Sequence, residues 1–182
     1  MDSAIELSIV VPLFNEAEVV EQLATRIAGT MDSAGFPCEA VLVDDGSSDG
    51  TRQKIDAVCA ADPRFRAVML SRNFGHQSAV TAGLDYARGD CVAVIDGDLQ
   101  DPPEILLEFH RKILDGYDVV YAVRQHRKES GIKRFCYWAF YRIFRRLATI
   151  DMPLDSGDFC MMTRRVVRHI QAMPERHRFI RG

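Results

Sequence analysis

The chain contains no C-x-x-C pair and no cysteine–histidine cluster at metal-ligand spacing, although it carries five cysteines, Cys38, Cys59, Cys91, Cys136 and Cys160. An odd set of scattered thiols fits a reducing compartment and argues against a disulfide framework or a zinc module. Also missing is any uninterrupted apolar run of the roughly 18 residues that a membrane-spanning helix needs. Met1 to Glu6 is acidic where a secretion signal is basic, and Ser8 and Pro12 break the apolar run that follows. A soluble or peripheral protein is therefore expected. With a net charge of -3 there is no basic excess, which speaks against nucleic acid as a partner. Repeats, low-complexity tracts and linkers are absent too. The 182 residues, 47% of them hydrophobic, then describe a single domain over residues 1–182 with one core.

What is present is unevenly distributed: acids concentrate before residue 120 and bases after it. The central stretch is Val94-Ile95-Asp96-Gly97-Asp98-Leu99-Gln100-Asp101-Pro102-Pro103-Glu104. It joins a buried apolar strand, from Cys91 to Ile95, to a carboxylate cluster at the strand's C-terminal end, where open α/β sheets place ligands. Asp96 and Asp98, one glycine apart, can lean toward one hard cation while Gly97 lets a phosphate approach. A solvated acidic turn would give the same short pattern. An EF-hand does not fit, because counting from Asp96 puts Asp101 where glycine belongs and Leu107 where glutamate belongs.

Elsewhere strands and helices alternate. Leu7 to Phe14 reads as a buried strand stopped at Pro12, and Val20, Leu23, Ile27 and Met31 give a helix over Ala17 to Ser33. Between them Asn15 and Glu16 could cap that helix or meet a ligand. Ala40 to Val43 is a second strand running into Asp44-Asp45-Gly46-Ser47-Ser48-Asp49-Gly50-Thr51. Such a loop can wrap a nucleoside, or be an ordinary turn with Ser48 or Asp49 capping the helix from Arg52 to Ala61. A third strand, Arg66 to Leu70, precedes Ser71-Arg72-Asn73-Phe74-Gly75-His76-Gln77 and a helix from Ser78 to Ala87; His76 reads as a supporting residue at most. A helix from Pro102 to about Leu114 and a fifth strand, Asp118 to Val123, complete the alternation. Strand–helix repetition predicts an α/β fold with a mostly parallel, Rossmann-like sheet. Phe159 to Met162 can be a short strand, and Arg164 to Met173 looks helical.

Residues 124–148 change character: arginines and lysines interleave with aromatics, and a helical projection separates an apolar face from Arg134, Trp138, Arg142, Arg145 and Arg146. Such a basic amphipathic helix can dock on the sheet or lie at an anionic membrane surface.

The pieces Val11-Pro12-Leu13-Phe14-Asn15-Glu16, Val43-Asp44-Asp45-Gly46-Ser47-Ser48-Asp49-Gly50-Thr51, Arg72-Asn73-Phe74-Gly75, Asp96 to Glu104 and Asp155-Ser156-Gly157-Asp158-Phe159 occur in an order that resembles the family 2 glycosyltransferases of GT-A fold. The Asp-Leu-Gln-Asp-Pro-Pro-Glu form is similar to the polyprenyl-phosphate branch, the dolichol-phosphate mannose synthases and bactoprenol glucosyltransferases. The resemblance implies that Pro12, Phe14, Glu16 and Asp44 hold the nucleotide base of a UDP- or GDP-linked sugar, with Asp45 near the ribose. Asp96, Gly97, Asp98 and Gln100 would meet the donor diphosphate and a Mg²⁺ or Mn²⁺ ion held by Asp96, Asp98 and Gln100. Arg124, Arg127 and Lys133 would meet acceptor or donor phosphate, and Asp98, Asp158 and Arg124 would act in catalysis, Asp158 orienting the acceptor. Inverting transfer to a polyprenyl phosphate at the cytoplasmic face of the membrane follows; a soluble saccharide acceptor or a non-catalytic nucleotide-sugar-binding module are the alternatives. Family members usually continue past the position of Gly182 into hydrophobic helices, so the resemblance also implies a membrane part truncated or absent here.

Overall fold

The computed structural model describes residues 4–123 and 156–173. β1 (Leu7–Leu13) and β2 (Cys38–Asp44) are buried at every residue. Their near-continuous apolar sequences are what a strand covered on both faces requires. β3 (Phe65–Met69) and β4 (Cys91–Val94) complete a parallel set, connected by α1 (Val20–Ala34), α2 (Thr51–Ala61) and α3 (His76–Tyr86). A short 3-10 turn, Pro103–Ile105, opens α4 (Leu106–Leu114), followed by β5 (Val119–Val123), β6 (Ser156–Thr163) and α5 (Arg164–Ala172).

Strand order is β3-β2-β1-β4-β6-β5. The sheet is mostly parallel, as expected, but the fifth strand does not extend the parallel set. β6 enters antiparallel between β4 and β5, aligning Cys91 with Thr163 and Val94 with Cys160, and β5 pairs with β6 at the edge. The stretch expected as a short strand is thus the centre of an eight-residue strand inside the sheet.

Side chains alternate between two cores, as strand geometry dictates. Ile9, Val11, Leu42, Ala93 and Met161 pack toward Leu23 and Ile27 of α1 and Phe109 of α4. Val10, Val41, Val43, Val92 and Met162 pack toward Val80 and Leu84 of α3 and Val167 of α5. At the N-terminal end of the strands, the almost fully buried Glu39 accepts hydrogen bonds from Ser8 Oγ (2.8 Å) and from the Arg88 backbone N–H (2.8 Å) and Nη2 (2.7 Å). Burial opposes its charge, yet the hydrogen bonds from Arg88 and Ser8 outweigh that and hold the carboxyl below its ordinary range.

No helix among the described residues is long and apolar enough to cross a membrane. The basic amphipathic segment 124–148, with Arg124, Arg127 and Lys133, lies outside the described residues, as does the basic tail 176–182.

Candidate active site

The order of the parallel strands reverses between β1 and β4, and in open α/β sheets the crevice beyond the carboxyl ends at such a point takes the ligand. Four loops meet there. The loop after β1 is stitched to the loop after β2: Asn15 N–H donates to Ser47 Oγ (2.9 Å), Glu16 N–H to Thr51 Oγ1 (2.9 Å) and Ala17 N–H to Asp49 Oδ2 (3.0 Å). Asn15 takes a left-handed backbone, φ 54°, and its Oδ1 accepts from Ser48 N–H at 2.9 Å. It therefore does not cap α1, which begins at Val20 rather than Ala17. Pro12 is buried and Phe14 is 43% exposed at the rim.

Asp44, the last residue of β2, and Asp45 after it are brought to this edge, but their oxygens are engaged within the protein. Asp44, 0% exposed, accepts from Arg52 Nη2 at 2.7 Å and from Ser47 N–H at 3.1 Å, while Arg52 also donates to the Leu70 carbonyl at 2.8 Å. Burial acts against its ionisation, and the bonds from Ser47 and Arg52 overcome it, so its pKa lies below the ordinary value. Asp45 is also buried; Oδ1 accepts from Phe74 N–H (2.8 Å) and Oδ2 from Gly75 N–H (2.9 Å). Both carboxylates meet protein donors, as a buried charge requires. Gly46 allows the loops to touch: at φ +75° its missing Cβ would lie 2.4 Å from the Arg72 carbonyl carbon.

Beyond β4, Asp98 and Gln100 are exposed and Asp96 is partly so. Asp98 Oδ1 accepts from Gln100 N–H at 3.0 Å, and the left-handed Leu99, φ 63°, turns the loop. His76 Nε2, at the start of α3, lies 3.8 Å from Asp96 Oδ1. A Cβ on Gly97 would meet Leu13 Cδ2 at 2.5 Å and the Pro12 carbonyl oxygen at 3.1 Å. The closeness it permits is that of β4 to β1. Asp101, which the sequence reading left without a role, is buried, and its Oδ2 accepts from Asp96 N–H at 3.4 Å. Arg26 of α1 holds the loop from outside through Glu104 Oε2 (2.8 Å). Arg52 and Asp101 were missed for one reason: only the folded geometry shows which carboxylate an arginine reaches, and which acid after a strand turns inward.

The Glu16 carboxyl is pushed up by burial first and then by the charges of Asp98 and Asp49. Acids from two further loops thus act on Glu16, and a cation bound nearby would offset their charge. Among the described residues no group of three or more His, Cys, Asp or Glu is arranged to hold a metal by itself. Asp96, Asp98 and Gln100 nonetheless offer the all-oxygen donors that suit Mg²⁺ or Mn²⁺, and Mg²⁺ commonly binds through one or two carboxylates together with substrate phosphates. Asp158 lies in β6, but its side chain falls outside the described residues.

The chain matches the family model Glycosyl transferase family 2 over residues 8–171. It is 43% identical to an uncharacterized glycosyltransferase, YkcC, of Bacillus subtilis, across 100% of this chain and 57% of that protein. With a bactoprenol glucosyl transferase of Shigella phage SfV it shares 37% identity across 97% of this chain and 58% of that protein. With an undecaprenyl-phosphate 4-deoxy-4-formamido-L-arabinose transferase of Shewanella sediminis the identity is 36%, across 94% and 51%. The chain thus spans little more than half the length of these curated relatives. Among solved structures, the mannosyltransferase PcManGT of Pyrobaculum calidifontis, in complex with GDP-Man and Mn²⁺, has a TM-score of 0.67 over 95% of this chain and 48% of that one. At 21% identity that likeness concerns the GT-A architecture alone. With the family match running from β1 into α5, the chain belongs to glycosyl transferase family 2.

Proposed function

We propose that this domain transfers a sugar, with inversion, from a UDP- or GDP-linked donor to a polyprenyl phosphate at the cytoplasmic face of the membrane. The observation that carries the reading is the set of acids gathered at the strand-order reversal, where the Asp98 and Asp49 charges both reach Glu16 and His76 lies 3.8 Å from Asp96. The branch of the family is supported by relatives named for bactoprenol and undecaprenyl-phosphate acceptors. A bound Mg²⁺ or Mn²⁺ would supply charge neutralisation for the leaving diphosphate, held by Asp96, Asp98 and Gln100. Asp98 is exposed, with Oδ1 held by the Gln100 amide, and Asp101 keeps the loop backbone in place through the Asp96 N–H. The acceptor phosphate, with a second pKa of about 6 by analogy with phosphoserine, is largely dianionic at neutral pH. Its oxygen attacks the anomeric carbon as the bond to the nucleoside diphosphate breaks, so no strong general base is required. Arg124, Arg127 and Lys133 would collect the acceptor's charge, and Asp158 would orient it.

Thermal stabilisation by UDP- and GDP-sugars, with and without Mn²⁺, tests the donor side. Transfer of labelled sugar to a short-chain polyprenyl monophosphate, compared with a free saccharide, tests the acceptor. The expected result is stabilisation by one nucleotide class and transfer to the lipid phosphate. Equal transfer to the free saccharide overturns the acceptor assignment, and stabilisation without any transfer identifies a binding module.

A further inference from the structure

Asp45, the first residue after β2, faces the loop that precedes α3. Its two carboxylate oxygens each take one N–H from consecutive residues, Phe74 at 2.8 Å and Gly75 at 2.9 Å, and the residue is 3% exposed. The same loop is pinned from below by Gly46, whose Cα leaves room for the backbone of Arg72 and Asn73. Its exposed side bears Arg72, with Cζ 4.3 Å from the centroid of the half-exposed Phe74 ring, and its end delivers His76 to 3.8 Å from Asp96. We infer that Asp45 is a positioning residue: its charge orders the loop from Arg72 to His76, and it does not bind the nucleotide ribose itself. The inference rests on the proposed donor site for its effect on turnover, but the loop clamp stands independently of that reading.

The chemistry favours this assignment. A carboxylate accepting two backbone N–H bonds inside the protein is a charge-assisted pair that fixes two successive peptide planes. Turning it outward to reach a ribose would break both bonds, leaving two part-buried N–H donors without their carboxylate and the loop without its anchor. At 3% exposure the carboxylate's remaining lone pairs offer almost no surface to a ribose hydroxyl.

The experiment is hydrogen–deuterium exchange of the Phe74 and Gly75 amides in the wild-type chain and in Asp45→Asn, alongside donor kinetics. In the wild type both amides should exchange slowly. In D45N, where one oxygen becomes a donor, at least one of them should exchange faster by about 10- to 100-fold. Donor KM should rise while the acceptor KM stays unchanged. The wild type and D45N should respond identically to replacing UDP or GDP by the 2′-deoxy and 3′-deoxy nucleotides in a thermal-shift titration. Exchange of both wild-type amides at the free-peptide rate overturns the inference, and needs no variant. So does a deoxy penalty present in the wild type and abolished in D45N. If no nucleotide stabilises the chain, the donor reading fails while slow exchange still supports the clamp.

Discussion

Asp98 and Glu39 show how differently two carboxylates serve one fold. Asp98 is exposed and its hydrogen bond is to the neighbouring Gln100 amide, so little of the core depends on it. Asp98→Ala is expected to lower Mg²⁺- or Mn²⁺-dependent donor turnover by about 100- to 1,000-fold, the scale of losing one electrostatic stabiliser of developing charge. The melting temperature should hardly move; unchanged metal-dependent turnover in the variant would remove the metal role. Glu39, 2% exposed and held by Ser8 and Arg88, does the reverse. Its folded pKa is depressed, so its contribution to stability is complete above the unfolded value of about 4.3 and is lost as pH falls through the folded value. Urea melts between pH 7 and pH 2 should show that loss in the wild type and a flatter acid limb in Glu39→Gln. At neutral pH the variant should be weaker by about 2 kcal/mol.

At the scale of elements, the loops are set by how closely strands and turns approach. A methyl added at Gly46 meets backbone, the Arg72 carbonyl carbon at 2.4 Å, in a left-handed conformation; one added at Gly97 meets the far end of the Leu13 side chain at 2.5 Å and backbone only at 3.1 Å, the Pro12 carbonyl oxygen. Gly46→Ala should therefore cost about 3 kcal/mol or more, and Gly97→Ala about 1–2 kcal/mol, read from denaturant midpoints. The reverse ranking would show that the Arg72 loop yields more easily than Leu13. Much of this framework was legible beforehand. Apolar runs marked β1, β2 and β4, and the 3.6-residue period of Val20, Leu23 and Ile27 marked α1. The place of β6 was not, since alternation reports that Met161 and Met162 face opposite cores but not which strand lies alongside. The site was legible as a set of acids after strands. Which of them turn inward, as Asp44, Asp45 and Asp101 do, depends on donors far away in sequence, such as the Gly75 amide.

For the molecule as a whole, the uneven charge is the feature on which the proposed lipid acceptor draws. Arg142, Arg145 and Arg146 lie outside the described residues, and the expectation for them comes from sequence. Reversing the three charges should weaken sedimentation with vesicles containing anionic lipid and leave binding to neutral vesicles unchanged. Undiminished sedimentation would count against the membrane-surface reading. The antiparallel return of β6 constrains the molecule in time as well as in space. A nascent chain that has produced β4 has no neighbour for that strand's outer edge until residues 156–163 have left the ribosome, more than sixty positions later. Until then the apolar Val92 and Val94 border an open ladder, so synthesis halted before Ser156 leaves a sheet poised to pair with another copy instead of with its own late strand.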